Sequence, residues 1–143
     1  MTSYLRWTIA WLLLCLVLAL HIYEEATRGS YLAYDLVRRL FPWLPPFHFE
    51  IWLLNVGGAV VVLVGLTWFV HKRLPIMRLA SYALAIFATG NAMLHLLLSL
   101  AWNQALIGMF TSPLLLAASL FLFVSIPRSE AEYVSDPTSP TLN

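Results

Sequence analysis

Residues 79–100 read LASYALAIFATGNAMLHLLLSL. The stretch holds no Lys, Arg, Asp or Glu, and at about 1.5 Å per helical residue it crosses a hydrocarbon core of about 30 Å. Lipid offers no hydrogen-bond partners, so a chain of this composition must satisfy its backbone within a helix. Ser81, Ala85, Ala88, Ala92, His95 and Ser99 step by three or four along it. Residues so spaced share one helix face, and small ones let a neighbouring backbone approach closely. His95 is therefore expected to face a bundle interior, with Asn91 one turn before it.

Three further apolar stretches, residues 5–23, 51–70 and 106–126, are similar; the first carries a single charge, Arg6 at its very start, and the other two carry no Lys, Arg, Asp or Glu. Each is roughly 20 residues long, enough to span. The expected fold is all-α: an integral membrane four-helix bundle. Composition agrees, since 61% of the chain is hydrophobic and only 10% charged, whereas soluble domains carry about 25% charged residues. A net charge of +1 with no basic run excludes nucleic acid as a partner. The lone cysteine, Cys15, excludes an internal disulfide and a Cys-rich metal site, and reads as a small apolar core residue. Gly57, Gly58 and Ala59 are expected to thin the second helix at a contact. Pro113 falls in the first turns of the fourth, where a missing N–H costs least. Arg6, Val17 and Ala19 also admit a second reading of the first stretch, as a signal peptide.

Residues 1–128 form the expected transmembrane domain, and 129–143 a disordered polar tail rich in Ser, Thr and Pro. Between the first two helices, Leu32, Leu36, Val37, Leu40 and Phe41 recur at helical spacing. They predict a short amphipathic helix on the membrane surface, stopped by Pro42. His71, Lys72, Arg73 and Arg78 crowd the second connection without an acid, whereas Arg28, Arg38 and Arg39 are offset by Glu24, Glu25, Asp35 and Glu50. The positive-inside rule then puts the second connection and both termini in the cytoplasm of a multi-pass cell-membrane protein.

Depth counting brings the polar residues to one end. His21 and His95 lie equally far along two helices of the same direction, roughly 24 Å from the inner boundary. His48, Glu50 and Asn55 open the second helix at that depth, and Thr111 and Ser112 open the fourth. Ionisable residues inside a membrane helix are costly and mark a cavity, a partner or a site. His21 and Glu25 are four apart and can reach one ion; His95 supplies a third ligand. Two His and one Glu with an open position is a known catalytic zinc set. The expected cofactor is one divalent ion, zinc or iron, on His21, Glu25 and His95. Glu24 and Asn91 are the expected catalytic residues, with Glu24 as general base on the open side. The run is similar to the inverted zincin pattern H-x-x-E-H, with Glu25 in place of its second His. The bland alternative is a hydrogen-bonded cluster that fixes helix register. No Gly-rich phosphate loop is present.

The run His21-Ile22-Tyr23-Glu24-Glu25 resembles the motif of the HXXEE-domain family of small multipass membrane proteins. Asn91 followed by His95 is similar to that family's second signature. The resemblance covers roughly residues 10–125. It implies a site at His21, Glu24, Glu25, Asn91 and His95, and because the family has no assigned reaction it names no chemistry. The expected activity is a metal-dependent or acid–base membrane enzyme, a hydrolase or isomerase, acting on a lipid-like substrate that enters between helices. The alternatives are an accessory subunit of a larger membrane complex, a binder of heme, pigment or quinone, or a proton-coupled transporter that dimerises. Expected partners are the bilayer, a lipid-like small molecule, and a homo-oligomer or larger complex.

Overall fold

In the computed structural model of the chain, each of the four apolar stretches contributes a helix and no strand occurs among the described residues, which are 3–28, 39–43, 49–102 and 108–127. Helix α1 is Ser3–Arg28, α2 is Phe49–His71, α3 is Ile76–Ala101 and α4 is Ser112–Ser125. The first three are long and apolar enough to cross a membrane. The surface helix expected between α1 and α2 lies mostly outside the described residues, as do His48 and the C-terminal tail.

Cross-helix contacts give the directions. Trp7 donates its indole N–H to Ser81 at 2.9 Å, and His21 meets Asn91 at 3.0 Å, so α1 and α3 run parallel. Arg6 reaches the Val124 carbonyl at 3.4 Å and Glu24 meets Thr111, so α4 runs against α1. Trp11 donates to the Leu63 carbonyl at 3.0 Å, and Arg73 stacks on the Tyr4 ring at 4.1 Å; α2 is antiparallel to α1 as well. α1 packs on α2 and α4, and α3 packs on α4. α1 and α3 meet through long side chains.

The α1 core face carries Tyr4, Trp7, Trp11, Leu14, Cys15 and Leu18, all buried. Their spacing of three and four makes one stripe. Both tryptophans spend their N–H on a partner, as buried indoles do. Leu5, Ile9, Leu12, Leu13, Leu16 and Leu20 lie exposed on the other side, a surface suited to lipid. On α3 the buried residues are Met77 followed by the small-residue face read from sequence, Ser81 through Ser99.

Two expectations need correction. Gly57, Gly58 and Ala59 mark no helix contact among the described residues: Gly58 and Ala59 are exposed, and a Cβ added at either glycine would meet none of those residues within 4 Å. The fourth helix also starts later than residue 106. Residues 108–111 are a turn, with Gly108 in the left-handed region at φ 86°, and α4 covers 14 residues. That length rises about 21 Å. Two N–H groups of this turn, those of Gly108 and Thr111, are taken by the Glu24 carboxylate of α1.

Candidate metal centre

The polar end of the bundle is built from two parallel helices and one turn. α1 continues through Arg28 without a break, so His21, Glu24 and Glu25 are held on one rigid element. Adjacent helical residues point about 100° apart, and this divides the two glutamates. Glu25 turns toward α3. Glu24 turns toward the start of α4.

Glu25 Oε1 lies 3.0 Å from His95 Nε2 and 3.9 Å from His21 Nε2. The ligand atoms of His21, Glu25 and His95 all fall within 4.8 Å of one another. Tetrahedral zinc with bonds of about 2.0–2.1 Å separates its ligand atoms by about 3.3 Å, so this group could hold a metal ion. Burial supports the fit. Both imidazoles are about 1% exposed. Glu25 Oε1 is buried without accepting a hydrogen bond from any described residue. A buried carboxylate oxygen normally takes one; its near contact here is His95 Nε2 at 3.0 Å, an ion pair only when that imidazole is protonated. The Glu25 side chain as a whole is 19% exposed, which makes it the open edge of the cluster.

Glu24 is 8% exposed and fully engaged. Oε1 accepts from the Gly108 N–H at 3.2 Å. Oε2 accepts from the Thr111 N–H at 3.0 Å and the Thr111 hydroxyl at 2.7 Å. The N-terminus of a helix leaves such N–H groups without internal partners and attracts negative charge. Thr111, at the N-cap of α4, makes no side-chain cap of its own; Glu24 supplies the acceptor from another helix. The placement of Glu24 on the open side of an ion is therefore corrected, since its carboxylate points away into a buried turn. Asn91 stands half-buried on α3, its amide 3.0 Å from His21 Nε2.

Thr111 also touches His21, with Oγ1 2.7 Å from Nδ1. The hydroxyl has one proton and gives it to Glu24, so it accepts from His21 Nδ1–H. This leaves the lone pair of His21 on Nε2, the atom that faces Glu25. Such an outer partner fixes the tautomer of a metal-binding imidazole. The two imidazoles meet edge to face, centroids 4.9 Å apart.

Gly108 closes the centre from the α4 side. A Cβ there would sit 2.7 Å from His95 Nδ1 and 3.0 Å from His21 Cε1. Sequence reading misses this glycine inside an expected span. The run Thr111-Ser112-Pro113 carries the signal, because Ser or Thr before Pro marks a helix start, and the chain before it is free to turn. Two polar residues grouped by depth stay apart from the centre. Glu50 is exposed, and Asn55 is exposed with its amide on the Ile51 carbonyl of its own helix at 2.8 Å.

A scan against models of protein families, and searches of curated proteins and of solved structures, find no match for this chain.

Proposed function

We propose that the protein is a metal-dependent membrane enzyme, its ion held by His21, Glu25 and His95, acting on a lipid-like substrate near the outer membrane face. The observation that carries this reading is the meeting of two imidazole nitrogens with a buried carboxylate oxygen that accepts no hydrogen bond from any described residue. When bound, the ion would polarise a substrate oxygen or lower the pKa of a bound water. Of the three residues that would hold the ion, Glu25 is the one nearest solvent. The surrounding surface supports an apolar substrate: Leu20, Tyr23, Leu97, Leu100 and Phe110 are exposed at the same end of the helices. The outer placement follows from the basic turn at Lys72, Arg73 and Arg78 at the opposite end, which the positive-inside rule assigns to the cytoplasm together with both termini. The likeness of the His21–Glu25 run to the HXXEE motif accords with a site here and adds no reaction.

The reading as a binder of heme or pigment has less support. Ring centroids 4.9 Å apart leave no room for a flat macrocycle between the two imidazoles, which rules out a site using both and leaves a single axial ligand, His21 or His95, as the form that reading would take; the group of three could hold a single ion.

Elemental analysis of protein purified in detergent tests the proposal. Wild type is expected to retain a single zinc or iron ion per chain. Glu25→Gln should lose it, because an amide is a poor replacement for a ligating carboxylate. Glu24→Gln should keep the ion and lose stability by about 1–3 kcal/mol, since an NH2 group would then face the N–H donors of the turn. Equal metal content in all three proteins would end the metal reading in favour of a hydrogen-bonded cluster.

A further inference from the structure

We infer that Asn91 Oδ1 is a fourth ligand of the ion, completing a set of two imidazole nitrogens and two side-chain oxygens. This rests on the metal reading above and adds a residue to it.

Helix register brings the four side chains together. α1 and α3 run parallel, and each presents one imidazole and one side-chain amide or carboxylate four residues apart. α1 offers His21 and then Glu25; α3 offers Asn91 and then His95. Parallel helices pair these as two rungs. His21 Nε2 meets the Asn91 amide at 3.0 Å, and Glu25 Oε1 meets His95 Nε2 at 3.0 Å. Each rung joins a nitrogen of one helix to the carboxylate or amide of the other, at one spacing.

Which Asn91 atom stands in its rung depends on the partners. With Nδ2 toward His21, the amide donates to the imidazole lone pair. A half-turn of the amide exchanges Nδ2 and Oδ1 with almost no change in shape, and the choice follows from what surrounds it. Thr111 holds the proton of His21 on Nδ1, so Nε2 presents a lone pair. With Oδ1 in place of Nδ2, two lone pairs face each other across 3.0 Å. That contact is repulsive alone and favourable around a cation, where neighbouring ligand atoms stand about 3 Å apart. The Glu25–His95 rung already sets an oxygen and a ring nitrogen at ligand spacing, the oxygen accepting no hydrogen bond from any described residue, and the turned amide would give the His21–Asn91 rung the same pair of atoms. Two imidazoles with two oxygens suit zinc, iron(II) or manganese(II).

The amide donor and the amide ligand make opposite demands on one substitution. Asp has no N–H to donate, yet its carboxylate is a better ligand than an amide. Metal-stripped protein in detergent is titrated with cobalt(II), read by its visible absorption. Asn91→Asp is expected to bind at least as tightly as wild type and to shift the band. Asn91→Leu, or Asn91→Ala should the leucine not fold, is expected to weaken binding by about tenfold or more. Asp binding as weakly as Leu would overturn the inference and leave Asn91 as a hydrogen-bond donor. An unchanged affinity and band in Asn91→Leu would overturn it too. If Glu25→Gln loses cobalt while Asn91→Leu keeps it, the fourth ligand falls and the three-residue centre stands. Wild type that takes up no cobalt overturns both.

Discussion

The residue that most constrains the centre carries no functional group. Gly108 sits at φ 86°, where a Cβ is strained, and faces both imidazoles. Gly108→Ala would place a methyl 2.7 Å from His95 Nδ1 and 2.8 Å from its Cε1, closer than a folded core tolerates. Strain and overpacking together predict a loss of about 2–4 kcal/mol. Thermal unfolding in detergent should show the loss, and elemental analysis should show reduced metal. A mutant of wild-type stability and metal content would mean the turn can retreat from the imidazoles. At this scale residue type is legible in the sequence and direction is less so. His21, Glu25 and His95 are identifiable because ionisable groups inside a membrane helix need a reason. Glu24 cannot be aimed from its own helix, since the donors that hold its carboxylate belong to a turn 84 to 87 residues further along the chain.

At the scale of the element, two helices with small residues behave differently. α3 buries Ala85, Ala88 and Ala92 completely or almost so, and Thr89 bonds Ser119 of α4 at 2.8 Å. Ala88→Leu should therefore force α3 from α4 and cost about 1–3 kcal/mol or more. A Cβ at Gly58 on α2 would meet nothing within 4 Å, so Gly58→Leu should leave unfolding unchanged within about 0.5 kcal/mol. Unfolding of the two variants in one detergent checks both. Equal effects would mean that the small residues on α2 pack as closely as those on α3. The α3 stripe is readable because its period is that of a helix and runs for its whole length. The glycines of α2 form a short cluster without that period, and small residues alone do not say whether protein or lipid lies opposite.

The whole molecule is asymmetric along its axis. One end carries the His, Glu and Asn cluster; the other carries Lys72 over the Trp68 ring at 4.8 Å and Arg73 over Tyr4. The basic turn between α2 and α3 is expected to be cytoplasmic. A cysteine replacing Lys72, in a Cys15→Ala background, should resist impermeant thiol reagents in intact cells and react after lysis. Cys15 is buried in the core, so its replacement by Ala removes the background thiol at modest cost. Labelling of intact cells would reverse the orientation and put the His21, Glu25 and His95 cluster inside.

Length, hydropathy and helical period are local properties, so the sequence by itself determined the helical class, the membrane-length helices, the small face of α3 and the gathering of polar residues at one end. Depth along a rod follows from a constant rise per residue, which is why His21 and His95 can be matched without knowledge of any contact. What only the tertiary structure decided is which atoms meet. The turn at residues 108–111 meets a carboxylate from α1. The partners of Glu24 and Glu25 depend on which helices pack on either side of α1. Rotation of each helix about its axis is set by packing against its neighbours, and a helix period read in isolation carries no reference to them.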